Sequence, residues 1–189
     1  MTGTELRAAL GLRDDRVWIN RDKNVTGAIR TKYDNLMCQP GLPASPEFND
    51  VGGNHQRFVL GAIYHTDAND LTVWLRGAID GEYTAVGGPD GVLGLPLTGL
   101  IAVTGVPGCA GGACRRVTFE DGRIYRKKSV GAFALWGAVL DAYLAAGGAK
   151  GDLGFPTSRV VEPGDGSSSA TFEHGSIDCP AGGGDCTVS

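Results

Sequence analysis

The chain has 189 residues, enough for one large domain or two small ones, and at such a length folding buries roughly 70% of the extended surface. Its 31 Gly and 9 Pro make up about a fifth of the residues, against a typical ~12%, which calls for many tight turns and short elements. A net charge of -4 with no run of four basic residues argues against a counterion-releasing nucleic-acid surface. The longest apolar stretch, Val130 to Leu140, is about half the ~20 residues a membrane-spanning helix needs.

The amino terminus lacks the basic start, apolar middle and small-residue cleavage site of a signal peptide. Thr2-x-x-Glu5 forms a capping box and Gly11 a helix stop, so residues 1–23 are expected to hold a short helix followed by a strand. From Gly27 onward the chain repeats itself. Gly27-Ala28-Ile29 with Tyr33 recurs as Gly77-Ala78-Ile79 with Tyr83 and as Gly137-Ala138-Val139 with Tyr143. Gly41-Leu42-Pro43 is followed by Leu93-Gly94-Leu95-Pro96 and Leu153-Gly154-Phe155-Pro156. Phe58, Gly61 and Ile63 are matched by Phe119, Gly122 and Ile124, then by Phe172, Gly175 and Ile177.

Each block has a physical form. The aliphatic and tyrosine positions of the first block lie four apart, on one face of a helix of about ten residues. Gly87-Gly88 and Gly147-Gly148 supply left-handed stops for the second and third helices. The glycine and proline of the second block suit a sharp turn, with exposed loops after it. In the third block the glycine sits in a hairpin, phenylalanine before the turn and isoleucine after it. Val73-Trp74-Leu75 and Leu135-Trp136 read as strands preceding the next helix. The expected fold is therefore α+β: three tandem units of one short helix plus a small antiparallel hairpin or sheet. Such units are too small to stand alone, so they must pack pseudo-symmetrically, with Tyr33, Tyr83 and Tyr143 buried at equivalent positions.

Cys109 and Cys114 bracket four small residues, and Cys179 and Cys186 bracket six, three of them glycine. Both loops can bring the α-carbons within the reach of a disulfide, and neither has zinc spacing. The pairs predicted are Cys109–Cys114 and Cys179–Cys186. Such bridges point to an oxidising compartment, hence to an exported chain whose targeting segment lies outside this numbering. Cys38 is left over, as a buried small hydrophobe or as a thiol paired elsewhere.

Candidate carboxylate pairs for glycoside hydrolysis, Glu120 with Asp121 and Glu173 with Asp178, fall on hairpin tips and read as solvated charges. His55, His65 and His174 share no metal spacing, and neither a catalytic set, a metal nor a cofactor is expected. Sugar recognition needs flat aromatic faces beside hydrogen-bonding groups. Trp18, Trp74, Trp136, Tyr64 and Tyr125 are the tryptophans and tyrosines outside the helices, with Arg76, Arg123 and Arg126 nearby. Tyr64 and Tyr125 follow the hairpin isoleucine and so face away from it, which favours their exposure.

The blocks Gly-Ala-Ile-x-x-x-Tyr, Gly-Gly-Pro-Asp-Gly-x-Leu-Gly-x-Pro and Phe-Glu-x-Gly-x-Ile resemble LGFP repeats, the name-giving tetrapeptide standing intact at 153–156. The resemblance covers residues 24 to 181 and divides them into repeats at 24–76, 77–136 and 137–181, with a tail at 182–189. The first copy departs from the pattern, Met37-Cys38-Gln39 replacing the Gly-Gly-Pro-Asp-Gly segment. The resemblance implies a secreted or wall-associated actinobacterial protein, without catalysis of its own, that binds cell-wall polysaccharide, either peptidoglycan or arabinogalactan. Residues 2–12 are similar to the closing segment of the stage II sporulation protein D and amidase-enhancer family. That implies an alternative, the carboxy-terminal part of a peptidoglycan-processing enzyme whose catalytic region lies upstream. An envelope protein–protein scaffold is the third reading.

Overall fold

The computed structural model describes residues 23–189. The expected amino-terminal helix and strand lie outside them, as does Trp18. Helix α1 (Gly27–Asn35) leads into a four-stranded antiparallel sheet of β1 (Pro43–Asp50), β2 (Gly53–Phe58), β3 (Gly61–Thr66) and β4 (Leu71–Leu75). Helix α2 (Gly77–Ala85) leads into a second such sheet of β5 (Ile101–Ala102), β6 (Cys114–Thr118), β7 (Gly122–Lys127) and β8 (Gly131–Trp136). Helix α3 (Gly137–Ala145) precedes a three-stranded sheet of β9 (Ser168–Phe172), β10 (Gly175–Cys179) and β11 (Thr187–Val188). The fold is α+β and mostly sheet.

The recurrent glycines explain where these elements begin. Gly27, Gly77 and Gly137 open their helices at φ of +52°, +59° and +57°, a left-handed entry that a side chain would strain. The hairpins form as expected. Phe58 pairs with Gly61 and Phe172 with Gly175 across two-residue turns, and the Phe119 N–H donates to the Gly122 carbonyl at 2.8 Å.

Helices and sheets alternate. Ile29 of α1 packs with Phe58, Ile63 and Trp74 on one face of the first sheet. Ile79 and Tyr83 of α2 fill the space between the other face of that sheet (Ala62, Tyr64, Val73, Leu75) and one face of the second (Val117, Ile124, Ala134). Val139, Leu140 and Tyr143 of α3 lie between Tyr125 and Leu135 of the second sheet and Ala170, Phe172 and Ile177 of the third. The first two sheets are thus covered on both faces. This overturns the expected exposure of Tyr64 and Tyr125, which are 1% and 3% exposed. They do face away from their isoleucines, but the next helix covers that face, whereas a lone antiparallel sheet would leave it to water.

Each helix tyrosine stacks on the phenylalanine of its own hairpin: Tyr33 on Phe58 at 5.1 Å, Tyr83 against Phe119 at 4.5 Å and Tyr143 on Phe172 at 4.7 Å. Tyr83 and Tyr143 are fully buried, while Tyr33 is only half-buried because no helix or sheet among the described residues lies beyond α1. The Tyr83 hydroxyl donates to the Gly94 carbonyl at 2.6 Å and that of Tyr143 to Gly154 at 2.7 Å. Leu-Gly-x-Pro is therefore a core element rather than an outward turn. Leu93, Leu95, Leu153 and Phe155 are buried, while the loops that follow come out to solvent as expected, from Leu100 after the second copy and at 161–166 after the third.

The second clamp on this block comes from the hairpin. Glu120 Oε2 accepts from the Leu95 N–H at 2.7 Å, and Glu173 Oε2 from the Phe155 N–H at 3.0 Å. A β-carbon on Gly94 or Gly154 would collide with those carboxylates, at 2.4 Å and 2.9 Å. Glu120 and Glu173 are therefore not free solvated charges; each ties the hairpin of its unit to the recurring Leu-Gly-x-Pro turn. In the first unit Val59 stands at the glutamate position, against Gly41.

Both expected disulfides are present, Cys109–Cys114 with α-carbons 4.9 Å apart and Cys179–Cys186 at 4.1 Å. Cys38 is free and exposed, at φ +58° in the turn after α1, which corrects its reading as a buried hydrophobe. No described helix is long and apolar enough to cross a membrane.

Candidate functional site

The alternation of layers leaves open clefts where one unit meets the next. The largest of those among the described residues, about 730 Å³, has the β2–β3 turn (Val59, Leu60), Trp74, Arg76 and the first turn of α2 on one side. Leu100, Gly112, Arg115 and Arg126 of the second unit form the other. Two physical facts shape it. The α2-facing side of the second sheet is longer than α2 covers, so Arg115 and Arg126 extend beyond Val117 and Ile124, which the helix buries. Trp74 itself is fixed, its Nε1 donating to the Leu60 carbonyl at 3.0 Å, and the Arg76 guanidinium lies 4.3 Å from the centre of its ring.

Two smaller clefts occupy matching positions beside the Gly-Gly turns that end α2 and α3. One, about 380 Å³, is lined by Phe48, Asp50, His55, Arg57, Tyr64 and the 87–90 turn. The other, about 310 Å³, is lined by residues 101–104, Arg116, Arg123, Tyr125 and the 147–150 turn. Their chemistry differs. In the first, His55 Nδ1 meets Asp50 Oδ2 at 2.7 Å, and Arg57 donates to Asp80 at 3.0 Å. Burial pushes the Asp50 and Asp80 carboxyls above their ordinary value, against the lowering effect of His55 on Asp50 and of Arg57 on Asp80. Phe48, His55, Tyr64 and Tyr83 form a ladder with ring centres 5.0, 5.4 and 5.1 Å apart. In the second cleft the corresponding positions carry Arg116 for His55 and Lys150 for Asp90.

A family model described as the LGFP repeat matches residues 41–91 and 93–151, more than half of the chain. The chain belongs to the LGFP repeat family. Both matched LGFP segments open at a Leu-Gly-x-Pro position and close at a Gly-Gly turn, so each runs from the clamped turn to the loop that lines a cleft. The matches do not extend to residues 2–12, and no match shows the likeness of that segment to the stage II sporulation protein D family. No curated protein matches the chain.

Of the residues expected to touch a ligand, Trp74, Arg76 and Arg126 meet in the largest cleft of this LGFP array, and Arg123 and Tyr125 in the smallest. Tyr64 contributes only its edge to the middle cleft. Trp136 lies apart from all three, wedged between two core clusters with its Nε1 donating to Glu162 at 2.9 Å. Sequence reasoning missed Arg115, Leu60 and Leu100, and the Asp50–His55 pair. Arg115 could have been found by counting register: it lies four residues before Phe119, and Arg126 four after Gly122, so the hairpin sets them opposite one another.

Proposed function

We propose that the chain is a non-catalytic module of a cell-surface protein that holds cell-wall polysaccharide, peptidoglycan or arabinogalactan, in the clefts between consecutive LGFP repeats. The observation that carries the reading is the largest cleft, where an indole edge, exposed leucines and guanidinium donors converge on an open groove. Saccharides bind to that combination, apolar ring faces on the carbon surfaces and hydroxyls on the donors. Family membership and the two disulfides fit an extracellular or surface setting, and secretion to the wall follows from that reading.

The three units are copies of one element related by approximate rotation along the array. The recurring tyrosine–phenylalanine contacts support this throughout, and the tyrosine–glycine and glutamate–amide contacts support it in the second and third. A row of such units adds avidity along a polymer rather than strong affinity at one site. The test is co-sedimentation of the chain with purified peptidoglycan and with arabinogalactan-bearing wall. Retention on either fraction is expected, and loss from both at low and moderate salt overturns the reading.

A further inference from the structure

Arg115 and Arg126 are directly opposed on β6 and β7. Side chains so placed share one face of the sheet, and like charges there destabilise it. Three other described arginines are paired, Arg30 with Asp34, Arg57 with Asp80 and Arg159 with Glu82, while Arg116 and Arg123, which line the cleft beside the 147–150 turn, are not. Among the described residues neither Arg115 nor Arg126 meets a carboxylate, and nor does Arg76 across the cleft, which lies on Trp74. Three uncompensated guanidinium groups thus line one groove of a chain whose net charge is -4.

The framework does not demand this arrangement. The same register positions, four residues either side of the hairpin turn, hold Asn54 and His65 in the first sheet and Ser168 and Cys179 in the third. Arg115 also lies against the disulfide loop. Arg115 follows Cys114 directly, and the disulfide loop brings Gly112 so close that a β-carbon there would lie 2.6 Å from the Arg115 guanidinium.

We infer that this cleft is a site for an oxyanion-bearing saccharide, the anionic group held by Arg115, Arg126 and Arg76 and the sugar ring resting on Leu60, Leu100 and the edge of Trp74. Planar guanidinium groups match carboxylates and phosphate esters by paired hydrogen bonds, and the like-charge repulsion between the arginines is relieved when the anion binds. The inference rests on the wall-binding reading and narrows it to the anionic components of the wall.

The test uses the intact chain and three soluble polymers: polygalacturonate fragments for carboxylate, a mannan bearing phosphodiesters for phosphate, and neutral dextran. Calorimetric titration should show binding to at least one anionic polymer, weakened by salt, and none to dextran. Arg115→Gln and Arg126→Gln should each weaken binding about tenfold or more, whereas Arg30→Gln, on the far helix, should leave it unchanged. Arg126→Lys, which keeps the charge and loses the fork, should fall between. Binding to neither anionic polymer, equal binding to dextran, or full binding by the double glutamine variant overturns the inference. Sedimentation with wall separates this from the broader reading. Wall retention that survives both hydrofluoric acid, which removes phosphodiesters, and carbodiimide amidation of carboxylates leaves wall binding standing and sinks the anionic site. Tight polymer binding with no wall retention does the reverse.

Discussion

Removing a single hydroxyl from each helix tyrosine measures how deeply the Leu-Gly-x-Pro turn is built into the core. Tyr83 and Tyr143 are fully buried, and their hydroxyls donate to Gly94 and Gly154 at 2.6 and 2.7 Å. Tyr→Phe keeps the ring and its contact with Phe119 or Phe172, so neither cavity nor stacking changes. What is lost is one hydrogen bond, and a carbonyl inside the fold is left without its partner, at a cost of about 1–2 kcal/mol. Tyr33 is half-buried, and its hydroxyl meets no carbonyl among the described residues. Tyr33→Phe should therefore cost less than ~0.5 kcal/mol. In urea titrations followed by tryptophan fluorescence, the midpoints of the Tyr83 and Tyr143 variants should fall with an unchanged slope. Their melting temperatures should drop by about 2–8 °C, while the Tyr33 variant stays with the parent. Equal losses at all three positions would refute the reasoning, because they would mean that the ring environment and not the clamp sets the cost.

Glu120→Ala leaves the Leu95 N–H without its carboxylate acceptor and should cost about 1 kcal/mol, more than the near-zero effect of a free surface charge, as measured by the same titration. Tyr143→Ala opens an aromatic cavity beside Tyr125 and Phe172 and should cost about 3–5 kcal/mol. Glu173 is pushed up by burial, but hydrogen bonds from Lys127 and the Phe155 N–H and the charge of Lys127 outweigh that and hold it below its ordinary 4.5. A depressed carboxyl stabilises the fold above its unfolded value and ceases to do so as pH falls through the folded one, so stability should decline below about pH 4.5. Glu173→Gln should flatten that decline in urea midpoints measured across acid pH, and an unchanged acid limb would remove Glu173 from the account. Opening Cys109–Cys114 by a double serine substitution should cost on the order of 2 kcal/mol by loop entropy, read as a lowered melting temperature.

The repeat blocks made the elements legible because each block contains a backbone requirement that only a few residues meet. Glycine at a left-handed helix entry, paired glycines at the helix end and a two-residue hairpin turn between phenylalanine and glycine are local, and they folded where the pattern put them. The faces of the strands were not legible in the same way. Period-two alternation says which side chains share a face, but not whether a second layer covers that face. Tyr64 and Tyr125 were correctly turned away from Ile63 and Ile124, and the next helix then buried them. The roles of Glu120 and Glu173 were hidden for a similar reason. Their recurrence was visible, but the amide each accepts from lies 25 and 18 residues earlier, on a turn whose return to the hairpin no local rule dictates.

The same organisation accounts for where binding chemistry can vary. The motif residues spend their side chains on the clamp: tyrosine on phenylalanine throughout and, in the second and third units, on the glycine carbonyl, with glutamate on the turn amide. Positions that face the clefts are bound by none of these contacts. Across matched sites the chain carries His55 against Arg116, Asp90 against Lys150, and the Asn54–His65 pair against Arg115–Arg126, with no change in the strand register that presents them. Charge can thus be reversed between neighbouring clefts while the framework stays intact. An array built in this way need not bind the same group at every junction. On the proposed wall binding, substitutions at the charged cleft positions Arg115, Arg116, Arg126 and Lys150 should change what is bound with little effect on melting temperature, and substitutions in the clamp should do the opposite.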